Sequence, residues 1–311
     1  MLRQNLELNK VVKTRHTPVL LNEVIENLNL KKGDVVLDGT VGGGGYLKEI
    51  CKKVDVEGKV IGLDQDNNAL ERVKEGSKNW NRDLILVNDN FRNLDNVLID
   101  LNIKKVNGVV FDLGLSSDHF ENSGRGFSFK KDEPLLMTFE KDLTKARFTA
   151  RDIVNDWDEE NIADILYGYG EEKFSRRIAK NIVEARKEKA INTTTDLVEI
   201  IEKSVPVWYK KGRKTHFATK TFQALRITVN DELETLKDGL KKGFDALEKQ
   251  GRLVVVSFHS LEDRIIKNFM RDKKNEREGI LITKKPIVPS REEIKENPRS
   301  RSAKLRIIEK I

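Results

Sequence analysis

Gly42, Gly43, Gly44 and Gly45 follow one another without interruption, and no other stretch constrains the chain so strongly. Glycine loses more conformational freedom on folding than any other residue. Four in a row belong where a backbone must turn tightly or admit a ligand. They close the run Asp38-Gly39-Thr40-Val41, which follows an apolar strand pattern at 35–37 and opens a helical pattern at 45–53. A glycine turn between strand and helix suits a nucleotide-type ligand. A turn that serves packing alone is the plainer alternative.

The spacing narrows the ligand. A dinucleotide fingerprint requires G-x-G-x-x-G/A. Counted from Gly42 or from Gly43, the third position falls on Leu47 or Lys48. No G-x-x-x-x-G-K-[ST] occurs, which excludes a P-loop. An acid ahead of the glycines, Asp38, suits S-adenosylmethionine, which lacks a pyrophosphate and carries an ammonium and a sulfonium. Asp64 ends the second strand pattern, where a carboxylate can accept both hydroxyls of a ribose.

Strand and helix patterns alternate through the first third. Apolar runs at 35–37, 60–63, 84–87 and 109–111 each meet an acid or amide: Asp38, Asp64, Asn88-Asp89 and Asp112. Helical stretches lie near 45–53, 66–76 and 93–102. This predicts a mostly parallel α/β sheet that binds its ligand along the C-terminal edge. From about 121 to 214 the strand signal stops. Amphipathic helices are expected at 161–169, 174–186 and 195–204, the last with Thr194 or Thr195 as N-cap. The α/β pattern then returns, with one long helix over 219–249 and a buried strand at 253–258. Ser260 and Asp263 read as a capping box, and two last strands fall at 280–283 and 305–308. The expected organisation is a discontinuous sheet domain, 1–120 and 215–311, with an inserted all-helical substrate-recognition domain, 121–214.

The 311 residues suit two such units. A net charge of +7 permits a polyanionic partner. Cys51 is the single cysteine, which excludes disulfide scaffolds and cysteine-based zinc sites. His16, His119, His216 and His259 are scattered without ligand spacing, and no metal is expected. Apolar runs are too short to span a membrane, and the N-terminus shows no secretory h-region. The expectation is a cytoplasmic protein with no membrane partner.

Several motifs in order add a resemblance that covers nearly the whole chain. They are the 16–21 stretch HTPVLL, the Asp38–Gly45 turn, FDLGLSS at 111–117 and RGFSF at 125–129. YGEE at 169–172, FSRRIA at 174–179, TFQALRI at 221–227, SFHSLEDR at 257–264 and NPRSRSAKLR at 297–306 complete it. The chain resembles the bacterial small-subunit ribosomal RNA methyltransferase H family, which methylates N4 of a decoding-region cytosine in 16S rRNA. The resemblance implies a class I S-adenosylmethionine-dependent methyltransferase fold, Rossmann-like, with an inserted helical domain. It implies cofactor contacts at Gly44, Gly45, Tyr46, Asp64, Phe91, Asp112 and His119. It implies as partner the 16S rRNA within the small ribosomal subunit. The chain departs from the family pattern at Tyr46, Asp118-His119, His216–Lys220 and the segment 134–140, where Leu136 and Thr138 replace an acid and a base.

A cytosine amine is a poor nucleophile because its lone pair is delocalised into the ring. Asp112 is the candidate to accept an amine hydrogen; binding the cofactor alone is its competing role. Asp89 or Asn90 can bond the adenine amine while Phe91 packs on the ring. Phe120, Phe127 or Phe129 can stack on a base taken out of its helix, or serve as core. RNA contacts are expected at Arg125, Arg176, Arg177, His259, Arg299 and Arg301, with Lys210, Lys211, Arg213 and Lys214 as further cations. The stretch Asp112-Leu113-Gly114-Leu115 lacks the Asp-Pro-Pro-Tyr tetrad of amino-methylating DNA enzymes. A different nucleic-acid or protein target, or an RNA-binding assembly factor without chemistry, remains the alternative. The sequence assigns no oligomeric state; a homodimer is one option.

Overall fold

The structure is a computed structural model that describes residues 18–78, 80, 83–114, 123–140, 142–144, 146–211 and 215–311. The first part alternates as α1 (Leu21–Leu28), β1 (Val35–Asp38), α2 (Gly45–Val54), β2 (Lys59–Leu63), α3 (Asn67–Gly76), β3 (Asp83–Val87), α4 (Leu94–Asp100) and β4 (Val106–Asp112). Helices follow: α5 (Ala150–Asp156), α6 (Glu159–Gly168), α7 (Ser175–Glu188), α8 (Thr194–Ser204), α9 (Val207–Lys210), α10 (Thr219–Asn230) and α11 (Glu232–Ala246). The chain ends with β5 (Leu247–Ser257), α12 (Ser260–Asn275), β6 (Gly279–Leu281), α13 (Arg291–Glu296) and β7 (Lys304–Lys310).

Among the described residues, seven strands form one sheet in the order β3-β2-β1-β4-β5-β7-β6. Strands β1 to β5 run parallel; β7 is antiparallel to both β5 and β6. The order reverses between β1 and β4, which opens a crevice at their C-terminal ends. This is the mostly parallel sheet that the alternation predicts, and the Rossmann-like class I methyltransferase fold that the resemblance implies.

Neighbouring strand residues divide between the two faces. Val36, Val60, Val110 and Val254 pack under α1 and α2. Leu37, Ile61, Val109 and Val255 pack under α4, α11 and α12. Burial on both faces is why these strands read as unbroken apolar runs. A separate core runs from Phe127 to Leu225 and takes in α5 to α8 together with part of α10. Among the described residues no helix is long and apolar enough to cross a membrane.

Three local expectations are corrected. The helix expected over 219–249 is two helices, broken at Asp231, whose φ is 49°. The break lets Asn230 accept from Phe139 N–H at 2.8 Å and donate to the Met137 carbonyl at 2.8 Å. Strand β5 therefore starts at Leu247, with a register shift opposite Val106 and Gly108. The cap of α8 is Thr193 rather than Thr194 or Thr195, in a reciprocal box with Asp196. The box of α12 is His259 with Glu262, one residue before the expected Ser260 and Asp263.

Candidate active site

The crevice at the sheet edge is a cleft of about 710 Å³ between the strand ends and the helical unit. The glycine turn forms one wall, and its glycines divide by task. Gly42, at φ 50°, and Gly43 have room where a side chain would be. A Cβ on Gly44, at φ 74°, would lie 2.7 Å from Val73 Cγ2, and one on Gly45 would lie 2.0 Å from Pro18 Cγ. The first two leave backbone open to a ligand; the second two let α2 approach its neighbours. Gly45 lines the cleft and Gly44 does not.

Three acids meet below the turn. Asp38 is fully buried; its Oδ1 accepts from Thr40 N–H at 3.0 Å, and its Oδ2 has no partner. Burial pushes its carboxyl up to about 7, with the Asp112 and Asp64 charges adding to the rise. Asp112 ends β4, and its backbone N–H donates to Thr40 Oγ1 at 2.6 Å. Its buried Oδ1 is also unpartnered, and burial lifts its carboxyl to about 7, with Glu262 adding to the rise. Asp64 accepts from Gly42 N–H at 2.7 Å and from Asp66 N–H at 2.8 Å, so it braces the turn as well as lining the cleft. Burial raises its carboxyl too.

The remaining cofactor candidates fall unevenly. Tyr46 lines the cleft but is buried, and its hydroxyl donates to the Val19 carbonyl. Phe91 lines the cleft and tilts against Phe111 at 4.9 Å. Asp89 Oδ1 accepts from Asn90 N–H and from the Asn93 amide, and Asn90 Oδ1 caps the following turn. His119 and Phe120 lie outside the described residues, as do His16, Asp118, Arg213 and Lys214.

The opposite wall brings together Arg226 and Glu262, which the motifs include without a role, with His259 and with Glu232, which lies in no motif. Arg226 holds Glu232 by two hydrogen bonds of 2.8 Å. Glu262 Oε2 accepts from Phe258 N–H at 2.7 Å and from His259 N–H at 3.2 Å. His259 Nε2 lies 2.9 Å from Glu262 Oε1, poorly aligned for a hydrogen bond. Ligand-type atoms of Glu232, His259 and Glu262 fall within 4.8 Å of one another. The cation already seated on Glu232 is the Arg226 guanidinium, which takes both carboxylate oxygens.

The expected RNA contacts separate into three groups. Arg299 and Arg301 are exposed on a 3₁₀ turn, Pro298–Ser302, at the cleft rim, and His259 lines the cleft. Arg176 and Arg177 are exposed on α7, away from the cleft lining. Arg125 Nη1 donates to the carbonyls of Thr138 and Phe139 at 2.9 and 2.8 Å, so it braces the 134–140 segment. Phe127 is buried and stacks on Phe139. Phe129 stacks on His216 at 4.6 Å. The 134–140 segment borders the cleft through Phe139; Leu136 and Thr138, its departures from the family pattern, do not line it. Thr138 is buried, and its hydroxyl accepts from Glu140 N–H at 3.1 Å.

Two buried, unpartnered carboxylate oxygens beside open glycines fit a ligand with a cationic end, and S-adenosylmethionine has one. Comparison with known proteins agrees. A model of the MraW methylase family matches residues 13–311. Ribosomal RNA small subunit methyltransferase H of Finegoldia magna is 42% identical over 96% of this chain and 99% of its own length. The protein of that name from Clostridium botulinum strain Loch Maree is 45% identical over 96% and 99%. That from Persephonella marina is 46% identical over 95% and 99%. The chain belongs to the MraW methylase family, and its cofactor is S-adenosylmethionine.

Proposed function

We propose that this protein transfers a methyl group to N4 of a cytidine in the decoding region of 16S rRNA, within the small ribosomal subunit. The observation that carries the chemistry is the unpartnered Oδ1 of Asp112, at the end of β4, in the same cleft as the open glycines. The names of the curated relatives support the choice of rRNA. The cytidine and its N4 rest on the family resemblance. In this reading the protein works in the cytoplasm, and residues 121–214 form an inserted unit that recognises substrate.

The bound cofactor supplies an electrophilic methyl carbon on a sulfonium, whose departure needs no acid. The protein's task is to hold the amine within about 3–3.5 Å of that carbon and in line with it. Asp112 Oδ1 accepts one amine hydrogen, which favours the pyramidal, nucleophilic form. As the nitrogen–carbon bond forms, that proton passes to Asp112. A carboxyl poised near 7 can take it up and release it to water afterwards. Asp64, in the cleft lining, would hold the cofactor by its ribose hydroxyls, and Asp38, buried behind the lining, would hold its ammonium, directly or through water. Gly45, Tyr46, Phe91 and, by the family resemblance, His119 complete the cofactor set; Gly44, which the resemblance also implies, lies outside the cleft lining and serves packing instead. Arg176, Arg177, His259, Arg299 and Arg301 are assigned to the RNA side, and Arg125 to bracing the 134–140 segment instead.

The test is transfer of labelled methyl to small subunits from a strain that lacks the modification, followed by nucleoside analysis. Label in N4-methylcytidine is the expected outcome. Label in another nucleoside, or none with cofactor binding intact, overturns the assignment. RNA affinity should also fall steeply with salt, and Arg301→Ala should flatten that slope by about one counterion.

A further inference from the structure

The helical unit carries an aromatic surface that the cleft does not use. Trp208, in α9, leaves 67% of its surface exposed. Tyr209 and Phe174 hold it edge-on, with ring centroids 5.8 and 5.9 Å away. Tyr209 is itself buried and fixed by its hydroxyl, which donates to Glu172 at 2.7 Å. The indole therefore has a rigid base and a solvent-facing body. Cations surround its support in the sequence. Lys173, Arg176 and Arg177 are exposed, and none of them makes an ion pair with an acid among the described residues.

This surface is continuous with the cleft. Gln223, on the cleft wall, donates to the Tyr169 carbonyl at 3.0 Å. Two residues on, Glu171 accepts from Ser260 Oγ at 2.9 Å and from Arg264 at 3.0 Å, next to His259. Residues 169–174 thus run from the mouth of the cleft to the ring cluster at Phe174 and Trp208. A strand that places one base in the cleft can lay a neighbouring stretch along this segment.

We propose that Trp208 is a stacking platform for an unpaired base of the substrate RNA, with Lys173, Arg176 and Arg177 as its phosphate track. The proposal rests on the reading of the substrate as RNA. Charge favours RNA over a protein partner, since the three exposed cations, without ion-paired acids among the described residues, lie within three residues of Phe174, whose ring packs on Trp208. Aromatic faces and basic tracks together are how proteins hold single strands without reading sequence.

The experiment uses a labelled single-stranded RNA of about 12 nucleotides and fluorescence anisotropy on the full-length protein. Trp208→Ala and Trp208→Leu are expected to weaken binding about tenfold, while Trp208→Phe stays within about twofold. RNA should quench tryptophan emission in the natural protein, and Trp208→Phe should lose that quench while still binding. On small subunits Trp208→Ala should raise KM and leave kcat unchanged. Equal RNA affinity for Trp208→Ala and the natural protein overturns the proposal. So does a Trp208→Leu variant that binds as well as Trp208→Phe, which would make the patch merely apolar. A raised KM on particles with unchanged binding of naked RNA also overturns it, in favour of a ribosomal-protein contact. Failure of the natural protein to methylate small subunits sinks the rRNA reading alone, since binding and quench need no turnover.

Discussion

Asp38 and Asp112, at the sheet edge, each keep a buried oxygen without a partner, and burial lifts both carboxyls to about 7. The helical core from Phe127 to Leu225 behaves in the opposite way. Asn181 bonds Ser204, Tyr209 bonds Glu172, and Asn155 both donates to and accepts from Ile191. Thr221 Oγ1 is the one buried side-chain atom left unmatched in that stretch, among the described residues. An unmatched buried polar group lowers stability by about 1–3 kcal/mol. A fold keeps such groups where a ligand will match them. The sheet edge therefore gives up stability for binding, and the helical unit is built for shape.

The contrast can be broken first at Asp112. Replacing it by Asn should lower methyl transfer about 10²–10⁴-fold, read by single-turnover rates. Cofactor affinity, read by calorimetry, should move far less. An unchanged rate would reduce Asp112 to a wall of the cleft. In the helical unit Ile178→Ala should remove about 2–5 kcal/mol of stability through its cavity, since Ile178 is fully buried. Denaturant unfolding measures this, and cofactor affinity should hold. A joint loss of both would mean that the two regions are not energetically separate.

The sign of the pH dependence sharpens the contrast. The Asp38 carboxyl sits at about 7 in the folded protein against an ordinary 3.8, so the folded state keeps a proton that the unfolded chain releases between them. Its contribution to stability is full below about pH 4 and is lost as pH rises through about 7. The difference reaches about 4 kcal/mol. Asp38→Asn should therefore unfold less readily than the natural protein near pH 8, with the gap closing towards pH 4. Parallel curves for the two proteins would contradict an unmatched buried acid. The smallest effect separates the glycines. Gly45→Ala should destabilise by about 1–3 kcal/mol, because its Cβ meets Pro18. Gly43→Ala should stay within about 0.5 kcal/mol in stability while weakening cofactor binding. Equal effects would dissolve the division of the turn into open and packed halves.

The strands were legible because strands buried on both faces leave apolar runs, and each parallel strand of the first part ends at a polar residue. The helix ends were less so. Asp231 breaks a helical pattern because Asn230 is drawn to Met137 and Phe139, about 90 residues away in sequence. The capping box of α12 moved by one residue because Glu262 turns back to the Phe258 and His259 N–H groups. Asp263 is held instead by Arg306 at 2.6 Å and Lys304 at 2.8 Å. Leu136 and Thr138 look conspicuous in the sequence, yet it is Phe139 that reaches the cleft.

The sequence alone determined the parallel sheet, its acidic C-terminal edge and a glycine turn unsuited to a dinucleotide. Those features rest on periodicity and backbone freedom, which act over a few residues. Tertiary structure decided which glycines stay open and which acids keep a free oxygen. It also decided that Trp208 stays in solvent while Tyr209 beside it is buried. Each of these depends on atoms brought close by distant parts of the chain, and that proximity leaves no local pattern to read.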